Sequence, residues 1–360
     1  MVGRPDRMKV LQVNTERGWR GGERQTLLTA LALRELGCQV EILCRRGEPL
    51  AAHAQAHGLS VHAVGTRQAA WWWLCVNGGK YDVIHVQTAN ALTWAVLAKC
   101  VHRTPIVFTR RTSFDVKSDW STGLKWRQVD ALVAISEAAA AEPRRLGLNV
   151  SIIRSAVPPV AHDESTVQAY LAKHGLEGKT LVGTSAALSP EKGALTLVKA
   201  AYAVCRERPD VLFIHWGAAG HQSERVKQEI ARLGLESRYR LMGFQRDVEV
   251  LYPILSAFVM ASRQEALGSS VLDAMQASVP VVSTDAGGLK ETLGEGRGLL
   301  GPVDDADAMA ASIMAVLSHS DRMREMTVRA HDYVTREHGV AEMANRYLSL
   351  YRSCVGKSGS

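Results

Sequence analysis

The chain has 360 residues, 46% of them hydrophobic and 22% charged, which is too long for one ordinary core and too apolar for extended disorder. The net charge of +7 is uneven: residues 1–160 carry 21 Lys and Arg against 12 Asp and Glu, whereas residues 161–360 carry 22 against 24. No apolar run is long enough to cross a bilayer and no secretory signal is recognisable, so a cytoplasmic protein is expected.

Residues 1–8 read as a loose leader and 8–14 as a short strand, followed by a polar loop over 15–22. An amphipathic helix is expected over 23–36, with Gly37 as its stop, and the next strand over 39–44. Strand, glycine loop, helix and strand in that order make a βαβ unit, which implies a parallel sheet. Further strand-like runs lie at 60–64, 82–87, 105–109, 130–135 and 150–154, with helical segments between them. Residues 155–164 are proline-rich and poorly periodic and read as a linker. A second series of strands follows at 180–185, 211–216, 239–243, 257–261 and 280–284; residues 304–353 are mainly helical, and the GKSGS tail is expected to fray. The fold class is therefore α/β, with two doubly wound Rossmann-like domains, 1–158 and 165–335, facing across a cleft at their strand ends.

Cysteines 38, 44, 75, 100, 205 and 354 form no C-x-x-C pair and read as buried thiols in a reducing compartment. Seven of the eight tryptophans lie in the basic first half, a combination that suits an anionic acceptor or an anionic membrane surface. Trp71, Trp72 and Trp73 cannot all face one helical stripe, so at least one is expected at the surface. No nucleic-acid motif is present, and no nucleic-acid partner is expected.

Four loops carry candidate chemistry. Gly21 and Gly22 lie in the run Trp19 to Gln25; they let backbone approach a ligand, or form a plain turn. Arg110 and Arg111 follow the strand at 105–109 and suit bidentate phosphate contact, or a solvated basic loop. Lys192 sits in the turn Pro190-Glu-Lys-Gly193, placed to meet a diphosphate as a point charge, or simply solvated. In the run from Gln264 to Val282, Glu265 and Asp273 are eight residues apart with Gly268, Ser269 and Ser270 between them. A helix opening at Ser269 or Ser270 points its first N–H groups at an anion, and Glu265 can accept sugar hydroxyls. Asp273 also reads as the far member of a capping box begun at Ser270. His85 and Gln87 end a strand at the cleft and read as filling the sheet edge; Ser136 and Glu137 read as a helix cap.

These strings, in this order, resemble the family-four retaining glycosyltransferases of the two-domain GT-B fold, of the bacterial cell-envelope and lipopolysaccharide type. The resemblance spans about residues 9–353: the Trp19–Gln25 loop, the PEKG turn and the segment from Glu265 to Asp273 match the family's first loop, phosphate loop and E-x7-E segment. It implies a donor site of Gly21, Gly22, Arg110, Gly217, Leu267, Gly268, Ser269, Ser270 and Asp273. Glu265, Lys192 and Arg111 would then do the chemistry. Lys192, an arginine and the helix N-terminus would hold the departing diphosphate, Glu265 the sugar and Asp273 the ribose. It also implies that the helix at 336–354 packs back on the first domain. Gly243 to Asp247 falls in the family's base-binding loop, and Gly287-Gly288 with Glu291 in its GG-x-x-E run.

The chain departs from the family pattern at three places: Ala186-Ala187 where it has Gly-Arg, Arg111 where many members have histidine, and Asp273 for the second Glu. The expected partners are a nucleotide-sugar donor, with UDP first by family frequency, and a glycan or glycolipid acceptor. Peripheral association with the inner face of the cell membrane is expected, with no metal or other cofactor. The rival readings are a non-catalytic nucleotide-sugar-binding protein of the same fold and a nucleotide-sugar epimerase. A dehydrogenase is excluded because no G-x-G-x-x-G follows the first strand.

Overall fold

The structure is a computed structural model that describes residues 7–114, 120–160 and 163–358. The chain divides into two units: Met1–Ala156 with His338–Ser360, and Val157–Glu337.

In chain order, unit 1 opens with β1 (Lys9–Asn14), α1 (Gly21–Glu35), β2 (Gln39–Arg45), α2 (Pro49–Ala56) and β3 (Ser60–Val64). It continues with α3 (Arg67–Asn77), β4 (Val83–Val86), α4 (Ala89–His102), β5 (Ile106–Arg110) and α5 (Trp120–Arg127). The strands end with β6 (Ala131–Ala134), α6 (Glu137–Arg145) and β7 (Ser151–Ile152). The seven strands form one sheet in the order β3-β2-β1-β4-β5-β6-β7, every neighbouring pair parallel. Strands such as Val83–Val86 and Ile106–Arg110 are buried along their whole length, as a sheet covered on both faces requires.

Unit 2 begins with α7 (Glu164–His174), β8 (Thr180–Ser185), α8 (Ala194–Glu207), β9 (Val211–Trp216), α9 (Ser223–Arg232) and β10 (Tyr239–Gly243). Then come β11 (Ala257–Met260), α10 (Ser269–Gln276), β12 (Val281–Thr284), α11 (Gly288–Leu293), β13 (Leu299–Gly301), α12 (Ala306–Ser318) and α13 (Ser320–Glu337). Its sheet, β10-β9-β8-β11-β12-β13, is again all parallel and repeats the doubly wound order of unit 1. In each sheet the strand order reverses once, between β1 and β4 and between β8 and β11. Ligand crevices of doubly wound sheets form outside the strand C-termini at that reversal.

The last helix, α14 (Val340–Ser358), belongs to unit 1 and packs on α1. Its Met343, Tyr347 and Tyr351 join Leu33, Ile42 and Val10 in one buried cluster.

Several local details differ from the expectations or fall outside the described residues. Helix α1 starts at Gly21, so the glycine pair is its first turn and not a loop ahead of it. Helix α14 runs to Ser358, so residues 356–358 of the tail expected to fray are helical, and residues 359–360 lie outside the described residues. The leader falls mostly outside the described residues too, and β1 begins at Lys9. Strand β13 was missed because three residues bounded by glycine give no period to read. Of the three adjacent indoles, Trp72 is the exposed one, at 64%. The cysteines form no disulfide among the described residues, and Cys100 is exposed, unlike the buried thiols expected.

Candidate active site

The strand ends of unit 2 are locked together by backbone contacts. After β8 the chain makes the turn Pro190–Lys192 and leaves it at Gly193, whose φ is +64°. A Cβ at Gly193 would lie 1.9 Å from the Ala261 carbonyl oxygen, so only glycine lets the turn meet the exit of β11. The Arg263 N–H donates to the Glu191 carbonyl at 2.8 Å, a second tie between the same loops. From these loops the Lys192 ammonium and the Glu265 carboxylate meet, Nζ to Oε2, at 2.5 Å. The Ser262 hydroxyl is 3.4 Å from the same oxygen.

Glu265 is held from behind by the Gly287-Gly288 corner. The Gly288 N–H donates to the Glu265 carbonyl at 2.9 Å, and a Cβ on Gly287 would sit 2.2 Å from that oxygen. The GG pair of the sequence therefore seats the acidic loop. Leu267 is buried, and its carbonyl accepts the Thr292 hydroxyl at 3.0 Å.

Helix α10 follows at once. Its N-cap is Gly268, which brings no side chain to its first turn, so the opening N–H groups at Ser269 and Ser270 are left to another acceptor. This start places Asp273 five residues into the helix, which overturns the capping-box reading of that residue. Asp273 is 6% exposed and lies beside Tyr252, where its charge adds to burial in raising the tyrosine pKa. Ser185 and Ser270 bond the same tyrosine and lower it.

Gly217, at the end of β9, is required by packing, because a Cβ there would lie 1.8 Å from the Ala186 carbonyl oxygen. That carbonyl also accepts from His215 Nε2 at 2.9 Å, while His215 Nδ1 meets the Tyr239 hydroxyl at 2.9 Å. A carbonyl only accepts, so the ring carries its proton on Nε2 and takes the tyrosine proton bond on Nδ1. Burial holds His215 down at about 4.

Unit 1 has its own cavity at the strand ends, with a volume of about 570 Å³. Arg17, Arg20, Arg111 and Lys125 line it together with Phe114 and Trp126. Gly22, in the first turn of α1, faces Arg111: its Cβ would come 4.0 Å from the Arg111 Cδ. Gly21 is the first residue of the same helix, and Glu23 accepts the Arg20 N–H at 3.0 Å to close that turn. Burial raises the Glu23 pKa against the hydrogen bonds that lower it.

Arg111 donates from Nε and Nη2 to Gln87 Oε1, at 3.1 and 2.6 Å, and from Nη1 to the Ser155 hydroxyl at 3.0 Å. Arg110 lines the same cavity, but its guanidinium is engaged within it. It donates to the carbonyls of Ala139 and Phe114 and lies over the Trp126 ring, so it braces its own loop.

Behind Arg111 runs a buried polar chain. Gln87 Nε2 donates to Gln12 Oε1 at 2.7 Å, and Gln12 Nε2 to the Tyr351 hydroxyl at 3.4 Å. Tyr351 meets His85 Nδ1 at 2.6 Å, His85 Nε2 meets Thr109 at 2.7 Å, and Thr109 meets Tyr347 at 3.0 Å. Burial, helped by the Arg111 charge, holds His85 well below the ordinary histidine value, so it is neutral. The chain carries the order of helix α14 to the guanidinium.

The structure thus brings Lys192, Glu265, Gly268, Ser269 and Ser270 to neighbouring loops of unit 2, and Gly21, Gly22 and Arg111 to one corner of unit 1. The residues the sequence reading missed are Gln12, Ser155, Tyr347 and Tyr351, whose partners lie far away along the chain.

The model of the glycosyl transferases group 1 matches residues 167–332, and that of Glycosyltransferase Family 4 matches residues 19–163. The chain belongs to the family-four glycosyltransferases. This glycosyltransferase is 27% identical over 314 residues to the lipopolysaccharide core biosynthesis mannosyltransferase LpsB of Rhizobium meliloti, covering 82% of this chain and 86% of that one. It is also 27% identical to the phosphatidyl-myo-inositol mannosyltransferase of Mycobacterium tuberculosis, over 77% of this chain and 75% of that one. Its fold matches the Anabaena Alr3699/HepE structure in complex with UDP and glucose, with a TM-score of 0.86 and 20% identity over 96% and 100% of the two chains. Sucrose-phosphate synthase from Thermosynechococcus elongatus matches with a TM-score of 0.80 and 17% identity, over 98% and 100%. These likenesses establish two Rossmann-like units of the GT-B type.

Proposed function

We propose that this glycosyltransferase moves a hexose from a uridine-diphosphate sugar to a cell-envelope glycan or lipid-linked acceptor, with the anomeric configuration retained. The observation that carries the reading is the Lys192–Glu265 pair, set on the loops that lead to the uncapped start of α10. A cation and a set of N–H groups suit a diphosphate, and a neighbouring carboxylate suits sugar hydroxyls. Support for uridine comes from the UDP and glucose complex of the Anabaena protein of the same fold. Support for the acceptor class comes from relatives named for lipopolysaccharide core and phosphatidyl-inositol glycosylation.

In the proposed step the bond between the anomeric carbon and the diphosphate oxygen breaks, and its electron pair stays with the diphosphate. Lys192 and the α10 N-terminus stabilise the charge as it develops, the kind of contribution that dominates such sites. Retention requires the acceptor oxygen to bond on the face the diphosphate leaves, and the departing phosphate oxygen takes the acceptor's proton. Glu265 orients the sugar, and Asp273 meets the ribose hydroxyls beside Ser270. Arg111 and the basic cavity of unit 1 hold an anionic acceptor group. Lys192 and the helix N-terminus supply the charge a metal would, and we propose a metal-independent reaction working at the inner face of the cell membrane.

The test is transfer in EDTA from α-linked UDP-hexoses to a glycolipid extract of bacterial envelopes, with the new linkage read by NMR. An α-linked product is expected. A β-linked product would overturn retention, and a rearranged sugar still on its nucleotide would point to an epimerase.

A further inference from the structure

Helices α3 and α4 lie side by side, and their C-terminal ends are joined: a Cβ on Gly78 would lie 2.8 Å from the His102 side chain, and the Thr104 hydroxyl donates to the Gly78 carbonyl at 3.0 Å. On the outer face of this pair Trp72 and Val76 stand four residues apart on α3, and Leu97 and Val101 four apart on α4. All four are more than half exposed. Side chains at that spacing share one face of a helix, so the two pairs make one apolar surface. It is not the overflow of a loose core, because Trp73 on the same helix turns inward against His62 and Tyr81.

The exposed charges at the ends of the two helices are basic. Residues 49–114 contain six Lys and Arg and a single acid, Asp82, which accepts the Lys9 N–H at 2.6 Å. Arg67, Lys80 and Arg103 are exposed at the ends of the two helices. Neither helix has an acidic residue. Two copies meeting through this face would set Arg67, Lys80 and Arg103 against their like, and the neighbouring acid, Asp130, is already held by Lys99 at 2.6 Å. An indole with aliphatic neighbours, ringed by cations, is instead complementary to an anionic lipid surface.

The same helix reaches the unit 1 cavity. Ala89, Asn90 and Leu92 of α4 line it, and Leu97 lies seven residues beyond Asn90, about 10 Å along the axis. We infer that the outer face of α3 and α4 docks on the anionic bilayer that carries the acceptor, with α4 leading from the membrane to the acceptor cavity. This rests on the lipid-linked acceptor proposed above and names the surface that meets it.

The experiment is co-sedimentation of the full chain with phosphatidylcholine vesicles, with and without phosphatidylglycerol, beside the double variant Trp72→Ser/Leu97→Ser. Wild type is expected on the anionic vesicles alone, less at high salt, and the double variant should partition about tenfold less or weaker still. Lys80→Gln/Arg103→Gln, which leaves the apolar face intact, should lose the salt-sensitive part. Nucleotide calorimetry on each variant must match wild type, which separates loss of this surface from failure of the donor site. Wild-type partition unchanged in both variants, or no binding to anionic vesicles, would overturn the proposal. So would sedimentation showing a wild-type dimer that the double variant disperses, since the face would then join two copies.

Discussion

Lys192 and Glu265, 73 residues apart in the chain, meet at 2.5 Å as an ion pair between the Pro190–Lys192 turn and the loop after β11. Both side chains are partly buried, at 26% and 16% exposure. The pair joins the residue assigned to the leaving diphosphate with the one assigned to the sugar, so a donor entering there replaces one partner of each.

That arrangement predicts a split between binding and chemistry at Glu265. Glu265→Gln keeps a hydrogen-bonding group but removes the charge that engages Lys192. Nucleotide affinity should hold or rise slightly, while kcat falls about 10- to 100-fold through misplacement of the sugar. Steady-state kinetics with calorimetry on the same protein checks this, and equal losses in both would place Glu265 on the nucleotide.

Arg111 is predicted to act on the acceptor. Arg111→Lys loses the two-nitrogen contact with Gln87, and Gln87→Ala releases the guanidinium without changing its charge. Both should raise the acceptor KM about tenfold and leave nucleotide affinity alone, consistent with loss of an oriented charge-assisted contact. A weakened nucleotide in Arg111→Lys would move that residue to the donor side.

Stability should fall on mild acidification through His215. Its folded value of about 4 lies below the roughly 6.5 of an exposed histidine. The unfolded chain therefore takes up the proton first as pH drops. The stabilisation is full above 6.5 and is lost between 6.5 and 4, about 2 kcal/mol of it by pH 5. Denaturant unfolding at pH 7 and pH 5 should show that loss, with a smaller one in His215→Gln; His85 and His102, also lowered by burial, account for what remains.

Gly193→Ala tests the backbone lock. Its Cβ would collide with the Ala261 carbonyl, and its φ lies in the left-handed region. A cost of about 2–4 kcal/mol is expected from overpacking and backbone strain together. Nucleotide binding should also weaken under conditions where the variant is folded, because the turn carrying Lys192 must move. Thermal melts with calorimetry measure both.

Much of this was legible in the sequence. The apolar runs of β8, β9, β11 and β12 declare buried parallel strands, and Lys192 and Glu265 each stand in a distinctive loop. Their pairing was not legible, because no local pattern records a contact made across 73 residues. The same limit hid the polar chain behind Arg111, which joins His85 to Tyr351 across 266 residues. The start of α1 was misplaced because glycine normally argues for a loop, whereas here two glycines form a helical turn that faces Arg111. Asp273 read as a cap because a serine stood three residues before it, while Gly268 in the left-handed region set the helix start.

The most direct test of the account is calorimetric titration of wild type and Lys192→Ala with UDP, GDP and ADP. The account predicts that UDP binds wild type in preference to the other two, and that Lys192→Ala weakens it about 10- to 100-fold, the worth of one charge-assisted phosphate contact. Binding of UDP with equal affinity to both proteins, or binding of none of the three to wild type, would contradict it.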